Sequence, residues 1–235
     1  MLSELLAPFI APALLNILLV SLQQTLAMVS VAAVISALLG LPLGVLLVVT
    51  ERGHILPHRL LHRSVGTVVN LIRSTPFIIL MVSIIPLTRL LVGTTVGTTA
   101  AIVPLTIAIT PLFARLVEAA VREVDRGLID AALAMGGSPW QIIRKVLVPE
   151  ALPGIVAGLT VTLVSLIGYS TMAGVVGGGG LGDLGIRFGY QRFMPEVMLM
   201  VIVVLVVMVQ SVQFVGDRAA RAVNHRLQRR RQQPV

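Results

Sequence analysis

LLAPFIAPALLNILLVSLQQTLAMVSVAAVISALLGLPLGVLLVVT, residues Leu5–Thr50, contains no Asp, Glu, Lys or Arg. A hydrocarbon core about 30 Å thick is crossed by about 20 apolar residues in a helix, and this run is more than long enough. It is too long for a secretory signal, whose apolar region is about 7–15 residues, so we read it as a retained span and expect no cleaved leader. The whole chain agrees. Of its 235 residues 56% are hydrophobic and only 12% charged, against about 25% charged in soluble domains. A deficit of that size implies lipid as the solvent. Four more uncharged stretches follow, at Ser74–Thr88, Leu90–Ala114, Ala151–Gly182 and Val197–Gly216. The expectation is an all-α integral membrane protein with about five transmembrane helices, forming a single domain over residues 1–235.

Two of these stretches need qualification. Ser74–Thr88 is short for a span, so Arg73 and Arg89 would have to snorkel at its ends. The next is interrupted by Gly93-Thr94-Thr95-Val96-Gly97-Thr98-Thr99. One reading is a turn followed by a helix from about Thr99 to Phe113, the other a single re-entrant hairpin; both return the chain to the same side.

Orientation follows from the basic residues. Glu51–Arg73, Arg115–Glu150 and Asp217–Val235 hold four, five and six Lys/Arg, fifteen in all, while the opposite side has only Arg89, Arg187 and Arg192. The positive-inside rule puts the N-terminus outside and the C-terminus inside. Arg229-Arg230-Arg231, just past a span, reads as an anchor on anionic lipid and not as a nucleic-acid site.

Several chemistries are set aside. There is no cysteine, hence no disulfide or thiolate metal site. His54, His58 and His62 are four apart, but Pro57 disturbs a helix there, and Arg59 and Arg63 would repel a cation. We read an interfacial helix, with Leu56 and Leu60 toward apolar surface, and expect no metal. Gly180-Leu181-Gly182-Asp183-Leu184-Gly185 formally matches the dinucleotide fingerprint, yet a span and not a strand precedes it; its glycines suit close backbone packing. No Gly-x-x-x-x-Gly-Lys-[Ser/Thr] phosphate loop occurs, and Lys145 is the only lysine. If ATP drives this protein, ATP and Mg sit on a separate soluble subunit. A secondary transporter would carry ionisable residues deep in its spans, and a membrane enzyme a convergent set of His, Asp, Glu or Cys; neither pattern is evident. Five spans make a poor pore alone, which implies a homodimer about an axis along the membrane normal.

The most informative stretch is residues 114–150, on the expected cytoplasmic side. Asp125 is placed to cap a helix whose apolar face includes Leu128, Ala131, Ala132 and Met135. Gly136-Gly137 stops that helix. Ser138-Pro139-Trp140-Gln141 is a capping box with proline at the first helical position, and Trp140, Ile143 and Leu147 continue an apolar face. The product is helix, sharp elbow, helix. Its small residues suit the close approach of another protein, and its amphipathicity equally suits lying on lipid.

Asp130-Ala131-Ala132, Gly136 and Val146-Leu147-Val148-Pro149 resemble the signature loop of binding-protein-dependent ABC importer permeases: Glu-Ala-Ala, three residues, Gly, nine residues, Ile, one residue, Leu-Pro. Asp replaces Glu here, and Val replaces Ile and Leu. Glu118-Ala119-Ala120 misses the spacing. Asn70–Leu80, Gly127–Gly136 and Val164–Gly174 are similar to methionine-uptake permeases, and the likeness covers nearly the whole chain. The resemblance implies a transport subunit of the bacterial inner membrane, without catalysis of its own. It would work with a second copy of itself, two ABC ATPase subunits and a periplasmic or lipid-anchored substrate-binding protein. It makes Asp130, Ala131, Ala132, Met135, Gly136, Gly137, Ser138, Pro139 and Pro149 the ATPase-coupling loop. It also places Tyr169, Ser170 and Met172 near a gate, against ordinary span packing as the alternative. Arg73 either marks the cytoplasmic boundary or meets a substrate carboxylate.

The charge asymmetry generates a direct test of orientation. A reporter active only in the periplasm, fused after Val235, is expected to stay silent. Strong periplasmic signal would reverse the orientation.

Overall fold

The structure, a computed structural model, describes residues Pro12–Gln232. Those residues form helices and connections, with no strand among them. Lipid offers no water to backbone amides, so a spanning segment must satisfy its own hydrogen bonds, and a helix does so. The elements are α1 (Pro12–Val49), α2 (Arg59–Ser74), α3 (Phe77–Ser83), α4 (Ile85–Val92), α5 (Thr98–Arg122), α6 (Arg126–Ala134), α7 (Pro139–Ile142), α8 (Val148–Ala173), α9 (Gly180–Leu184) and α10 (Pro195–Gln232).

Among the described residues four helical stretches are long and apolar enough to span: Leu14–Val49, Thr98–Arg122, Pro139–Gly178 and Pro195–Asn224. A fifth exists only if Arg59–Ser74 and Phe77–Ser83, bent by 105° at the break between them, count as one. Here the structure corrects the expectation of one helix over Ser74–Thr88. Proline disfavours the helical region for the residue before it, and the chain leaves helix at Thr75, ahead of Pro76. It breaks again at Ile84, two residues before Pro86, whose ring would clash with the carbonyl four residues back in a continuing helix. The expected turn is present: α4 ends at Gly93, with φ +80°, and α5 begins at Thr98. That helix does not stop near Phe113 but runs to Arg122.

The chain divides into two compact units. One comprises residues 1–35, 75–108 and 163–212, the other residues 36–74, 109–162 and 213–235. In the first, Leu181, Leu184, Val197 and Val201 form a core with Leu14, Ile17 and Leu18 packed against it. Phe77 and Tyr169 stack with ring centroids 4.7 Å apart. After α8 the helix kinks at Val176 and Gly177, the latter at φ +90°, and both sides of the kink are held by polar bonds. Gly97 donates its N–H to the Gly177 carbonyl at 2.9 Å. The Gly180 N–H donates to Gln24 Oε1 and the Leu181 N–H to Thr25 Oγ1, each at 2.8 Å. The glycine-rich segment packs backbone on backbone, as its composition suggested: a Cβ on Gly182 would overlap the Thr171 carbonyl and Cα.

In the second unit, Val45, Val48 and Val49 of α1 meet Phe113, Val117, Ala120 and Val121 of α5, Ile129 and Ala132 of α6, and Ile155 of α8. Glycines set the spacing. A Cβ on Gly44 would lie 2.5 Å from the Ala114 carbonyl, and one on Gly154 2.7 Å from the Ala120 Cβ, the small-residue packing common between membrane helices. Burial separates the roles of the helices: 61% of the apolar window of α5 is buried, against 17% of that of α10. Leu199, Ile202, Val206, Val207, Phe214 and Val215 are exposed along α10, a surface that is stable only against lipid or another apolar partner.

Close packing at Gly182 generates a stability prediction. Gly182→Ala is expected to cost about 1–3 kcal/mol through overpacking. Gly66→Ala is the control, because its Cβ would meet Arg115 Nη2 at an ordinary 3.7 Å; it should be neutral or stabilise by about 0.4–1 kcal/mol. Thermal unfolding in detergent distinguishes the two, and equal midpoints would refute the packing argument.

Candidate functional site

The elbow between α5 and α8 is built from capping interactions. Asp125 precedes α6, and its Oδ1 accepts the Gly127 N–H at 2.7 Å. Gly136 ends the helix at φ +76°, in the left-handed region that glycine enters without a Cβ penalty. Its N–H donates to the Leu133 carbonyl at 2.9 Å, and that of Gly137 to the Ala132 carbonyl at 3.0 Å. Ser138 then starts α7 with a complete capping box: the Gln141 N–H donates to Ser138 Oγ at 3.4 Å, and the Ser138 N–H to Gln141 Oε1 at 2.9 Å. Pro139 is the first residue of α7, and Pro149 lies at the start of α8. The residues expected to form the loop therefore do come together in one short, doubly capped structure.

Of the apolar face expected on α6, only Ala132 is buried. Ile129 and Ala132 pack inward, whereas Leu128, Ala131 and Met135 are exposed, Met135 at 82%. Across the elbow the buried residues are Ile142 and Leu147, and Trp140 is 68% exposed. Of Trp140, Ile143 and Leu147, expected on one apolar face, Leu147 is buried, Ile143 is partly buried against the same cluster and Trp140 is outside it. Ile143–Leu147 is a π-helical turn, which brings Ile142, not picked out by α-helical spacing, to the side of Leu147. Leu133, also exposed, was missed too. Leu128, Leu133, Met135 and Trp140 are therefore all exposed, as are Asp130 and Gly136. A Cβ on Gly136 would meet no heavy atom within 4 Å, so the elbow is open in this chain.

Near the end of α8 the three gate candidates face differently. Tyr169 is half-buried against Phe77. Ser170 is 2% exposed and donates its hydroxyl to the Ile167 carbonyl at 2.7 Å. Met172 is 48% exposed. Arg73 is exposed in the last turn of α2.

The three histidines do not line up on one helix, because α2 begins only at Arg59. His58 Nδ1 accepts the Leu61 N–H at 3.1 Å, and His62 Nδ1 lies 2.9 Å from the Leu47 carbonyl. Burial pushes His54 below the usual imidazole range; Glu51 opposes that shift and Arg126 adds to it. Among the described residues no group of His, Asp and Glu is placed to hold a metal ion.

Sequence reasoning passed over Glu118 altogether, because its Glu-Ala-Ala lacks the signature spacing. In the structure it is buried and ion-paired to Arg115 and Arg122 at 2.6 and 2.8 Å. The available signal was the spacing of two basic neighbours, Arg115 at i−3 and Arg122 at i+4, on one helix face.

Comparison with known proteins adds the family. The chain is 53% identical over 211 residues to the probable D-methionine transport system permease protein MetI of Vibrio cholerae, a match that covers 90% of this chain and 94% of that protein. It is 50% identical over 203 residues to the D-methionine transport system permease protein MetI of Escherichia coli, with 86% and 94% covered. A chain of an inward-facing structure of the MetNI methionine ABC transporter superposes with a TM-score of 0.89 at 50% identity, over 91% of this chain and 99% of that one. Residues 40–229 match the family described as binding-protein-dependent transport system inner membrane component. With four-fifths of its length inside that match and its helices apolar enough to cross a bilayer, the chain belongs to this family, as a multi-pass, non-catalytic transport component of the bacterial inner membrane.

Proposed function

We propose that two copies of this chain form the translocation pathway of an ATP-driven importer for methionine. The observation that carries the reading is the α6–Gly136–α7 elbow, an exposed and sharply defined surface with apolar side chains pointing away from the fold. On this reading it docks into a separate ATPase subunit that holds ATP and Mg, two such subunits serving the homodimer. Asp130, Ala131, Met135 and Gly136 face the partner, while Ala132, Gly137, Ser138, Pro139 and Pro149 give the elbow its shape. A substrate-binding protein delivers the amino acid at the outer face, with the N-terminus outside and the C-terminus inside. Met172, exposed and flexible, closes the path against its symmetry mate near Tyr169 and Ser170. Arg73 marks the cytoplasmic boundary. The substrate assignment is supported by the relatives named for D-methionine transport.

Two experiments test this. In a methionine auxotroph that lacks its own uptake system, the gene should restore growth on limiting methionine. Failure to do so, with uptake of an unrelated solute instead, would keep the importer and discard methionine.

The second addresses the elbow. Gly136→Glu places a side chain at φ +76°, where non-glycine residues cost about 1–3 kcal/mol, and adds bulk and charge to an open surface. It should abolish uptake in vesicles while the protein still inserts and dimerises. Asp130→Ala should lower uptake at most about fivefold, the scale of a surface pair. If Gly136→Glu retains both uptake and co-purification with the ATPase, the elbow is not the coupling element, and a hairpin lying on lipid is the better account.

A further inference from the structure

Among the described residues Glu118 is the one charged side chain that is buried, at 4% exposure. Its two oxygens are divided between two partners on its own helix. Oε2 accepts from Arg115 Nη1 at 2.6 Å, and Oε1 pairs with Arg122 Nη2 at 2.8 Å. Each arginine then reaches a different element. Arg122 Nη2 lies 3.1 Å from Glu51 Oε2, just past the end of α1. Arg115 Nη2 donates to Asn70 Oδ1 at 2.8 Å and to the Gly66 carbonyl at 3.4 Å, both on α2. The result is a charge-balanced chain, Glu51–Arg122–Glu118–Arg115–Asn70, with the buried carboxylate at its centre.

The same turns of α5 present a second, apolar face. Val117, Ala120 and Val121 belong to the cluster that buries Ile129, Ala132, Ile142 and Leu147 of the elbow. The end of α5 is thus joined to the elbow by packing, to the residues just after α1 by one ion pair, and to α2 by hydrogen bonds from an arginine. Adhesion alone does not require the charges, because apolar residues of similar volume often hold a core as well or better than buried ion pairs. What the charges add is direction: Glu118 holds two guanidinium groups of its own helix in place, and each of them bonds a different neighbouring element, which leaves little room for that element to slide past α5.

We infer that Glu118 is a positioning residue for transport. It keeps α1, α2 and α5 in one register, so that a displacement of the elbow moves the ends of all three helices together. This rests on the proposed function, since it assigns the path by which the docking surface acts on the spans.

The test uses the full chain assembled with its partner ATPase in liposomes, with radiolabelled methionine taken up per ATP hydrolysed as the readout. Glu118→Gln keeps the shape and removes the charge. ATP hydrolysis should continue while methionine per ATP falls about threefold or more, within the range expected for residues that carry coupling between sites. Glu118→Asp should recover part of the ratio. Glu51→Gln breaks only the exposed strut to α1; it should assemble normally and lower the ratio less. Melting midpoints are recorded for each variant, and a role confined to stability would move the midpoint and leave the ratio unchanged. A wild-type ratio in Glu118→Gln overturns the inference. If that variant fails to assemble, a wild-type ratio in Glu51→Gln overturns it instead. Absence of ATP-driven methionine uptake in the wild-type protein overturns the proposed function first, and this assignment with it.

Discussion

A backbone amide in hydrocarbon has no water to bond, and the spanning helices of this chain answer that constraint. Where the sequence is uncharged the backbone closes on itself as helix, and the polar side chains inside those helices do likewise. The Thr25 hydroxyl donates to the Ser21 carbonyl at 3.0 Å, and the Thr162 hydroxyl to the Gly158 carbonyl at 2.8 Å. Hydroxyls on spanning helices are tolerated because the preceding turn offers an acceptor.

The constraint is sharpest where helices break. The kink after Ala173 frees amides that a continuous helix would have paired. The protein supplies Gln24 and Thr25 of α1 as acceptors for two of them. Gly97, at the start of the turn into α5, donates to a carbonyl exposed by the same kink. Irregular backbone therefore exists at this depth only where other segments of the chain take up its bonds. The glycines allow the approach; the uncharged polar residues of α1 make it affordable.

The elbow after α5 is built differently. Its shape is local, set by an aspartate cap, a left-handed glycine and a capping box. Its attachment is not local, since Ile129, Ala132, Ile142 and Leu147 are buried against α1, α5 and α8. A rigid, locally shaped projection fixed to the ends of several helices is suited to receive force from a partner, which is the role proposed for it. The charged chain through Glu118 joins the end of α5, on which the elbow packs, to α2 and to Glu51.

Much of this was legible in the sequence because the responsible signals are short-range. The uncharged stretches announced helices in lipid, Asp125, Gly136 and Ser138-Pro139-Trp140-Gln141 announced the elbow, and the Gly/Thr run announced the turn before α5. The prolines that divide Ser74–Thr88 were present too, although the count of apolar residues outweighed them in the reading. Three things required the tertiary structure. The burial of Ile142 beside Leu147 goes with a π-helical turn, a change of spacing that no α-helical count anticipates. Gln24 and Thr25 find their partners 156 residues away, and sequence alone attaches no meaning to a glutamine in a span. Glu118 reads as a charge at the end of an uncharged run until α5 is seen to continue past Phe113 and bury it between two arginines. Hydrophobicity and capping act within a few residues of the chain, so sequence determines them. The partners of a buried polar group are decided by which helices come within 3 Å of it, and only the fold decides that.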